Sequence, residues 1–127
     1  EPRGQYIGTE PYNKWTKPSC VLIGEDNYSD ACGFPYVYKT LGIGKLIGAP
    51  VPGTMTAVWW ENQIDPSIVF GIPQVGALGV KEGRYLENMQ IEPDILVYND
   101  PASVLRGEDR QLEAAVKEML KTIDSNK

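Results

Sequence analysis

The stretch Val21-Leu22-Ile23-Gly24-Glu25-Asp26-Asn27-Tyr28-Ser29-Asp30-Ala31-Cys32-Gly33-Phe34-Pro35-Tyr36 leaves this chain few ways to fold. Val21, Leu22 and Ile23 form a short apolar run ended by Gly24, which suits a strand covered on both faces. Glu25 to Tyr28 are too polar to continue it. From Asp30 the period changes. Phe34, Val37, Tyr38 and Leu41 recur at spacings of three and four, and Gly42 stops the run, so a helix follows the corner. Pro35 falls within its first two turns, where proline is better tolerated than deeper in.

Ser29 stands where corner becomes helix. Serine is a preferred N-cap there, its hydroxyl accepting a bond from a free N–H one turn in. The same free N–H groups can bind an oxyanion, so a hydroxyl at this place can also be a nucleophile beside half of an oxyanion hole. Spacing alone does not choose between these readings.

The rest of the chain continues an α/β pattern. After the helix, Gly44 to Gly48 reads as a strand reached by a short turn. Ala49 to Thr54, with two prolines and a glycine, is a loop. Met55 to Trp60 reads as a strand with Val58 and Trp60 on one face and Ala57 and Trp59 on the other. The tryptophans are read as core, the other reading being the wall of a groove for apolar substrate side chains. Ser67 to Pro73 is another strand, Lys81 to Arg84 a hairpin-like turn, and Ile95 to Tyr98 a last short strand, followed by a turn at Asn99-Asp100-Pro101. Leu112, Val116, Met119, Leu120 and Ile123 recur at helical spacing among charged residues, giving an amphipathic helix that packs on its own domain. Its acidic first turn and its later lysines suit the helix dipole. Residues 1–18 show no clear period and read as an extended lead-in, with Tyr6, Ile7, Tyr12 and Trp15 as candidate packing residues.

Length and charge narrow the function classes. A chain of 127 residues is one α/β domain, and 42% hydrophobic with 23% charged residues is a globular composition. A net charge of −5 argues against a nucleic-acid surface. No apolar run approaches the roughly 18 residues that a membrane helix needs. The sequence opens at Glu1 without an initiator Met or a leader, and reads as a mature product, a proteolytic piece or a cloned fragment. Cys20 begins the first strand, about 13 Å of strand before the corner, whereas Cys32 lies in the first turn of the helix. Their Cα atoms should therefore exceed the ~7 Å limit of a disulfide, and both read as buried free thiols.

Three motifs in order carry a family resemblance. They are Tyr28-Ser29-Asp30-Ala31-Cys32-Gly33-Phe34-Pro35-Tyr36 with Lys39-Thr40-Leu41-Gly42-Ile43-Gly44-Lys45-Leu46-Ile47-Gly48, then Leu86-Glu87-Asn88-Met89-Gln90-Ile91-Glu92-Pro93-Asp94-Ile95, then Gly107-Glu108-Asp109-Arg110-Gln111-Leu112-Glu113-Ala114-Ala115. Together they resemble the tail-specific (C-terminal processing) serine peptidases, most of all their tricorn branch, over most of the chain from Pro18 to about Leu120. The resemblance implies the ClpP/crotonase-like α/β fold of ββα units, with this chain as the C-terminal portion of a catalytic domain. It implies Ser29 as nucleophile, the backbone N–H of Asp30 as one oxyanion donor and Glu87 as the carboxylate closing a relay. Most of the wider family uses a lysine base from a Gly-Lys-Gly-like loop. The equivalent loop here, Gly48 to Thr54, has no lysine, and Lys39 and Lys45 read as surface residues. The chain also has no histidine. By the tricorn pattern, a histidine and a second serine come from an upstream part of the same enzyme.

The implied function is a serine peptidase acting on peptide or unfolded protein through an acyl-enzyme at Ser29, with the isolated chain inactive because its base lies upstream. The resemblance implies no cofactor and no metal, and allows a homo-oligomer. It allows an exported or periplasmic location, slightly favoured, or a cytoplasmic one. The alternative reading is a non-catalytic peptide-binding or scaffold domain that kept the fold and lost the chemistry. An acyl-CoA enzyme of the crotonase type would share only the fold and leave the Ser29 motif unexplained.

Overall fold

In a computed structural model of the chain, which describes residues 15–125, Cys20–Ile23 form strand β1 and Asp30–Thr40 form helix α1. The chain returns as β2 (Lys45–Gly48), parallel to β1, with Val21 opposite Leu46 and Ile23 opposite Gly48. A short strand β5 (Ile95–Leu96) pairs parallel with the other edge of β2, so the sheet order is β1-β2-β5. Between them β3 (Thr56–Asn62) and β4 (Val69–Gly76) form a separate antiparallel ribbon with a register shift at Ala57/Val58. Two helices end the described chain, α2 (Pro101–Leu105) and α3 (Arg110–Asp124). The class is α/β, as expected.

The core lies where α1 meets the parallel sheet. Ile23, Cys32, Tyr38, Leu46 and Val51 form one buried cluster, with Val21, Met55 and Ile91 packed against it. The central strand β2 is the best covered, Leu46 and Ile47 being fully buried. Gly48 ends it at φ 135°, against the Ile23 carbonyl, where a Cβ would collide. Asp94 fastens β5 to β2, accepting the Leu46 N–H at 2.8 Å while its own N–H donates to the Leu46 carbonyl at 2.8 Å.

Several expectations need correcting. β1 is an edge strand and Leu22 is exposed, so it is not covered on both faces. Of the apolar residues that announce α1, only Tyr38 lies on its buried side. Cys32, Pro35 and Tyr38 face the core, whereas Phe34, Val37 and Leu41 are exposed. The same inversion holds for α3. It packs on β1 and β2 through Ala115, whose small side chain permits close approach, and Glu118 pairs with Lys45. Leu112, Val116, Leu120 and Ile123 point outward. Trp59 and Trp60 lie exposed on the ribbon rather than in a core. Cys20 is only half-buried, although both thiols are free. Lys39 and Lys45 do lie at the surface, each in an ion pair: the Lys39 ammonium donates to the Glu92 carbonyl at 2.7 Å and sits 3.1 Å from Asp94, and Lys45 pairs with Glu118.

The Asn99-Asp100-Pro101 turn opens α2, which the sequence reading missed. Asp100 caps it by accepting the Ser103 N–H at 2.9 Å, and Pro101 occupies the first turn. Of the lead-in, residues 1–14 lie outside the described residues, and with them Tyr6, Ile7 and Tyr12. Trp15 is exposed, with the Lys17 ammonium 5.8 Å from its ring centre.

Candidate active site

Ligand sites in open α/β sheets lie beyond the carboxyl ends of the strands. Here that end of β1 runs into the corner at 24–29. The corner is held by Asn27. Its Oδ1 accepts the Gly24 N–H at 3.0 Å and its Nδ2 donates to the Ala31 carbonyl at 2.8 Å, tying the last residue after the strand to the first turn of the helix. Between these two anchors Ser29 adopts φ 54° and ψ −118°, a conformation that residues with a Cβ seldom take. Cys32, fully buried one turn on, donates its thiol to the Pro52 carbonyl at 2.9 Å and so pins α1 to the 49–54 loop.

Ser29 occupies the N-cap position of α1, yet its side chain makes no capping hydrogen bond. Its hydroxyl is exposed and opens on a cavity of about 230 Å³, walled by the first turn of α1, by Thr54 to Ala57, and by Val75 to Ala77 at the foot of the ribbon. Its carbonyl accepts the Cys32 and Gly33 N–H groups at 2.7 and 3.1 Å. The Ala31 N–H is taken by the Tyr28 carbonyl at 3.0 Å. The Asp30 N–H has no hydrogen-bond partner among the described residues. One exposed hydroxyl thus stands next to one unused N–H at the positive end of a helix dipole, an arrangement able to attract and hold negative charge.

Glu87 does not itself line this cavity but contacts two residues that do. Its Oε2 accepts the Met55 N–H at 2.8 Å, and Met55 and Thr56 both line the space in front of Ser29. The Thr56 hydroxyl, first, and the Met55 N–H hold the Glu87 carboxyl below the ordinary carboxylate range, so it is ionised at neutral pH. Asn88, next to it, takes φ 59°, a left-handed conformation that asparagine tolerates, and donates its N–H to the Gly53 carbonyl at 2.7 Å. Gly53 lies against the Met89 backbone so closely that a Cβ would collide with it. The loop that lacks a lysine therefore positions the loop that carries Glu87.

Lys39 and Lys45 are both engaged by partners other than Ser29. The Lys39 and Lys45 ammonium groups are drawn to the Glu92–Asp94 segment and to Glu118. Sequence reasoning singled out Ser29, Asp30 and Glu87 but missed Asn27, Gly53, Met55 and Asn88. An asparagine three residues after a strand-ending glycine is a turn signal that could have marked Asn27. The others act through backbone contacts distant in sequence and leave no local pattern.

Known proteins resemble this chain in sequence and in fold. A curated protein of Chlamydia pneumoniae is 34% identical over 90 residues, 70% of this chain and 14% of that protein. The tricorn protease of Thermoplasma acidophilum is 25% identical over 122 residues, 96% of this chain and 11% of that one. The chain thus spans between about a tenth and a seventh of the length of these two relatives. Among solved structures, that of the tricorn protease superposes with a TM-score of 0.74 at 25% identity, over 83% of this chain and 10% of that chain. Mature CPAF superposes with a TM-score of 0.61 at 27% identity, over 71% of this chain and 17% of that one. Residues 2–97 match the sequence profile of Peptidase family S41. With a matching profile over most of its length, the chain belongs to Peptidase family S41.

Proposed function

We propose that this chain carries the nucleophile side of a serine peptidase site. Ser29 Oγ attacks the carbonyl carbon of the scissile peptide bond, giving its proton to a histidine supplied by another part of the enzyme. The carbonyl oxygen, now negative, accepts the Asp30 N–H. The C–N bond breaks, the amine leaves with that proton, and water later hydrolyses the acyl-Ser29 ester by the reverse relay. Glu87, ionised and held by Met55 and Thr56, closes the relay; it need not touch Ser29, because a serine and the histidine from an upstream part of the enzyme stand between them. The single observation that carries the reading is the backbone of Ser29. A serine that gives up its capping bond and takes a strained conformation to expose its hydroxyl beside a free N–H is hard to explain by stability alone. The chain has no histidine, so without its base Ser29 is a weak nucleophile and the isolated chain is expected to be inactive.

The test is a fluorophosphonate probe applied to the full-length enzyme, followed by peptide mapping. The adduct is expected on Ser29 and absent in Ser29→Ala. Glu87→Gln is expected to lower kcat by at least roughly tenfold with the fold intact. An adduct on Ser19, Ser67 or Ser103, or full activity in Ser29→Ala, overturns the assignment. Failure of any serine to react while peptides still bind would favour the alternative, a peptide-binding domain without chemistry.

A further inference from the structure

Helix α1 faces two cavities. Ser29, Asp30 and Gly33 line the first, and Tyr36, Lys39 and Thr40 line the second, which also has a volume of about 230 Å³. Ser29, Gly33, Tyr36 and Thr40 follow one another at spacings of four, three and four, so the cavities lie end to end along one side of the helix. The Met55 side chain lines both and divides them. Leu86, Met89 and Ile91 complete an apolar floor in the second cavity. Its rim is polar and is fastened to the helix. The Tyr36 hydroxyl donates to Glu82 at 2.7 Å and accepts the Val80 N–H at 3.1 Å, which holds the turn that carries Lys81 and Glu82. The Lys39 ammonium on the rim is already committed to Glu92 and Asp94. Leu86 and Met89 flank Glu87, so whatever fills this cavity also touches the loop that presents the carboxylate.

We propose that this second cavity binds one apolar side chain of the peptide substrate, on a residue about four positions from the scissile bond. The distance follows from the helix. The helix residues lining the second cavity centre about nine residues beyond Ser29, or roughly 14 Å of helix axis, which an extended peptide spans in about four residues. The chemistry follows from the lining. The floor of Leu86, Met89 and Ile91 is apolar, with Lys81 on the rim; its size suits a single side chain rather than a larger ligand, and two thioether side chains let it adapt to leucine, methionine or phenylalanine. This assignment rests on Ser29 marking the scissile bond, as proposed above.

The chain's methionines provide the test. There are three, and Met55 and Met89 line the cavity while Met119 lies on α3 beside Cys20 and Lys45. The chain is labelled with ¹³C-methyl methionine and titrated with capped alanine–serine heptapeptides in which one leucine is moved along the sequence. Saturable shifts are expected at Met55 and Met89 and not at Met119. Replacing the leucine by serine should weaken binding by about tenfold or more. Met89→Lys should bring the leucine peptide down to the affinity of the leucine-free one, with the Met119 signal unmoved as a check on folding. Equal shifts for both peptides, equal shifts at Met119, or no shift at all overturns the pocket assignment. The catalytic reading fails separately. Leucine-dependent shifts with no Ser29 adduct in the intact enzyme leave a binding pocket without the chemistry. Cleavage by the intact enzyme with no apolar preference and no shifts leaves the chemistry without this pocket.

Discussion

At Ser29 the backbone occupies a region whose cost for a residue with a Cβ is on the order of 1–3 kcal/mol, and Asn27 is the side chain that keeps it there. Asn27→Ala removes both anchoring hydrogen bonds of the corner. Stability should fall by about 1–3 kcal/mol, read from the urea midpoint of the isolated chain. In the intact enzyme kcat should drop on the order of tenfold to a hundredfold with KM nearly unchanged, because the nucleophile is misplaced while the peptide-binding walls are untouched. An unchanged kcat would mean that the corner holds without Asn27. Ser29 was legible as a candidate from its place between two periods of hydrophobicity. Its strain was not, since a backbone angle at one residue is set by its anchors, and one of these is the side chain of Asn27 gripping residues on both sides. Glu87 is a plain loop carboxylate by its own sequence. Its meaning comes from the Met55 and Thr56 groups that it meets far back in the chain.

Among the elements, periodicity identified which residues share a face but not which way that face points. In α1 and α3 most of the apolar row lies outward, apart from buried Tyr38 and half-buried Met119, because small or polar residues such as Ala115, Cys32 and Glu118 make many of the closer contacts with the sheet or the 49–54 loop. Carboxylates do much of the joining between elements. Asp109 caps α3 by accepting the Leu112 N–H at 3.0 Å, Asp100 caps α2, and Glu118 ties α3 to β2 through Lys45. Hydrogen bonds to these groups hold each carboxyl below its ordinary range. At Asp94, burial pushes the other way and is outweighed by the Leu46 N–H and the Lys39 ammonium. A group whose folded pKa is depressed contributes stability above its unfolded value, near 4, and loses it as pH falls through the folded value. Melting temperature should therefore stay level from pH 7 to about 5 and decline steadily below about 4. Circular-dichroism melts between pH 7 and 2.5 would show this, and a level profile down to pH 2.5 would mean that these contacts contribute nothing to stability.

For the whole molecule, the α/β class, the order of the main strands and helices and the strand-to-helix corner at Ser29 could all be read from the sequence, because each depends on a local period or a punctuating glycine. The pairing of β5 with β2, the short helix α2 and the lone ribbon could not, because they depend on contacts between distant segments. The tryptophans show the difference most plainly. Patterning placed Trp59 and Trp60 on opposite faces of a strand, but a two-stranded ribbon shields neither face, and they are 59% and 64% exposed, with Trp15 at 73%. All three tryptophans of the chain therefore already stand in water when it is folded. Their emission should lie near the wavelength of free indole in buffer and move little on adding denaturant, so intrinsic fluorescence would miss an unfolding transition that circular dichroism records. A large red shift on unfolding would contradict the open ribbon. The same optical silence makes these residues sensitive reporters of contact: a blue shift on mixing the chain with another protein would signal that the ribbon or the Trp15 segment has been covered.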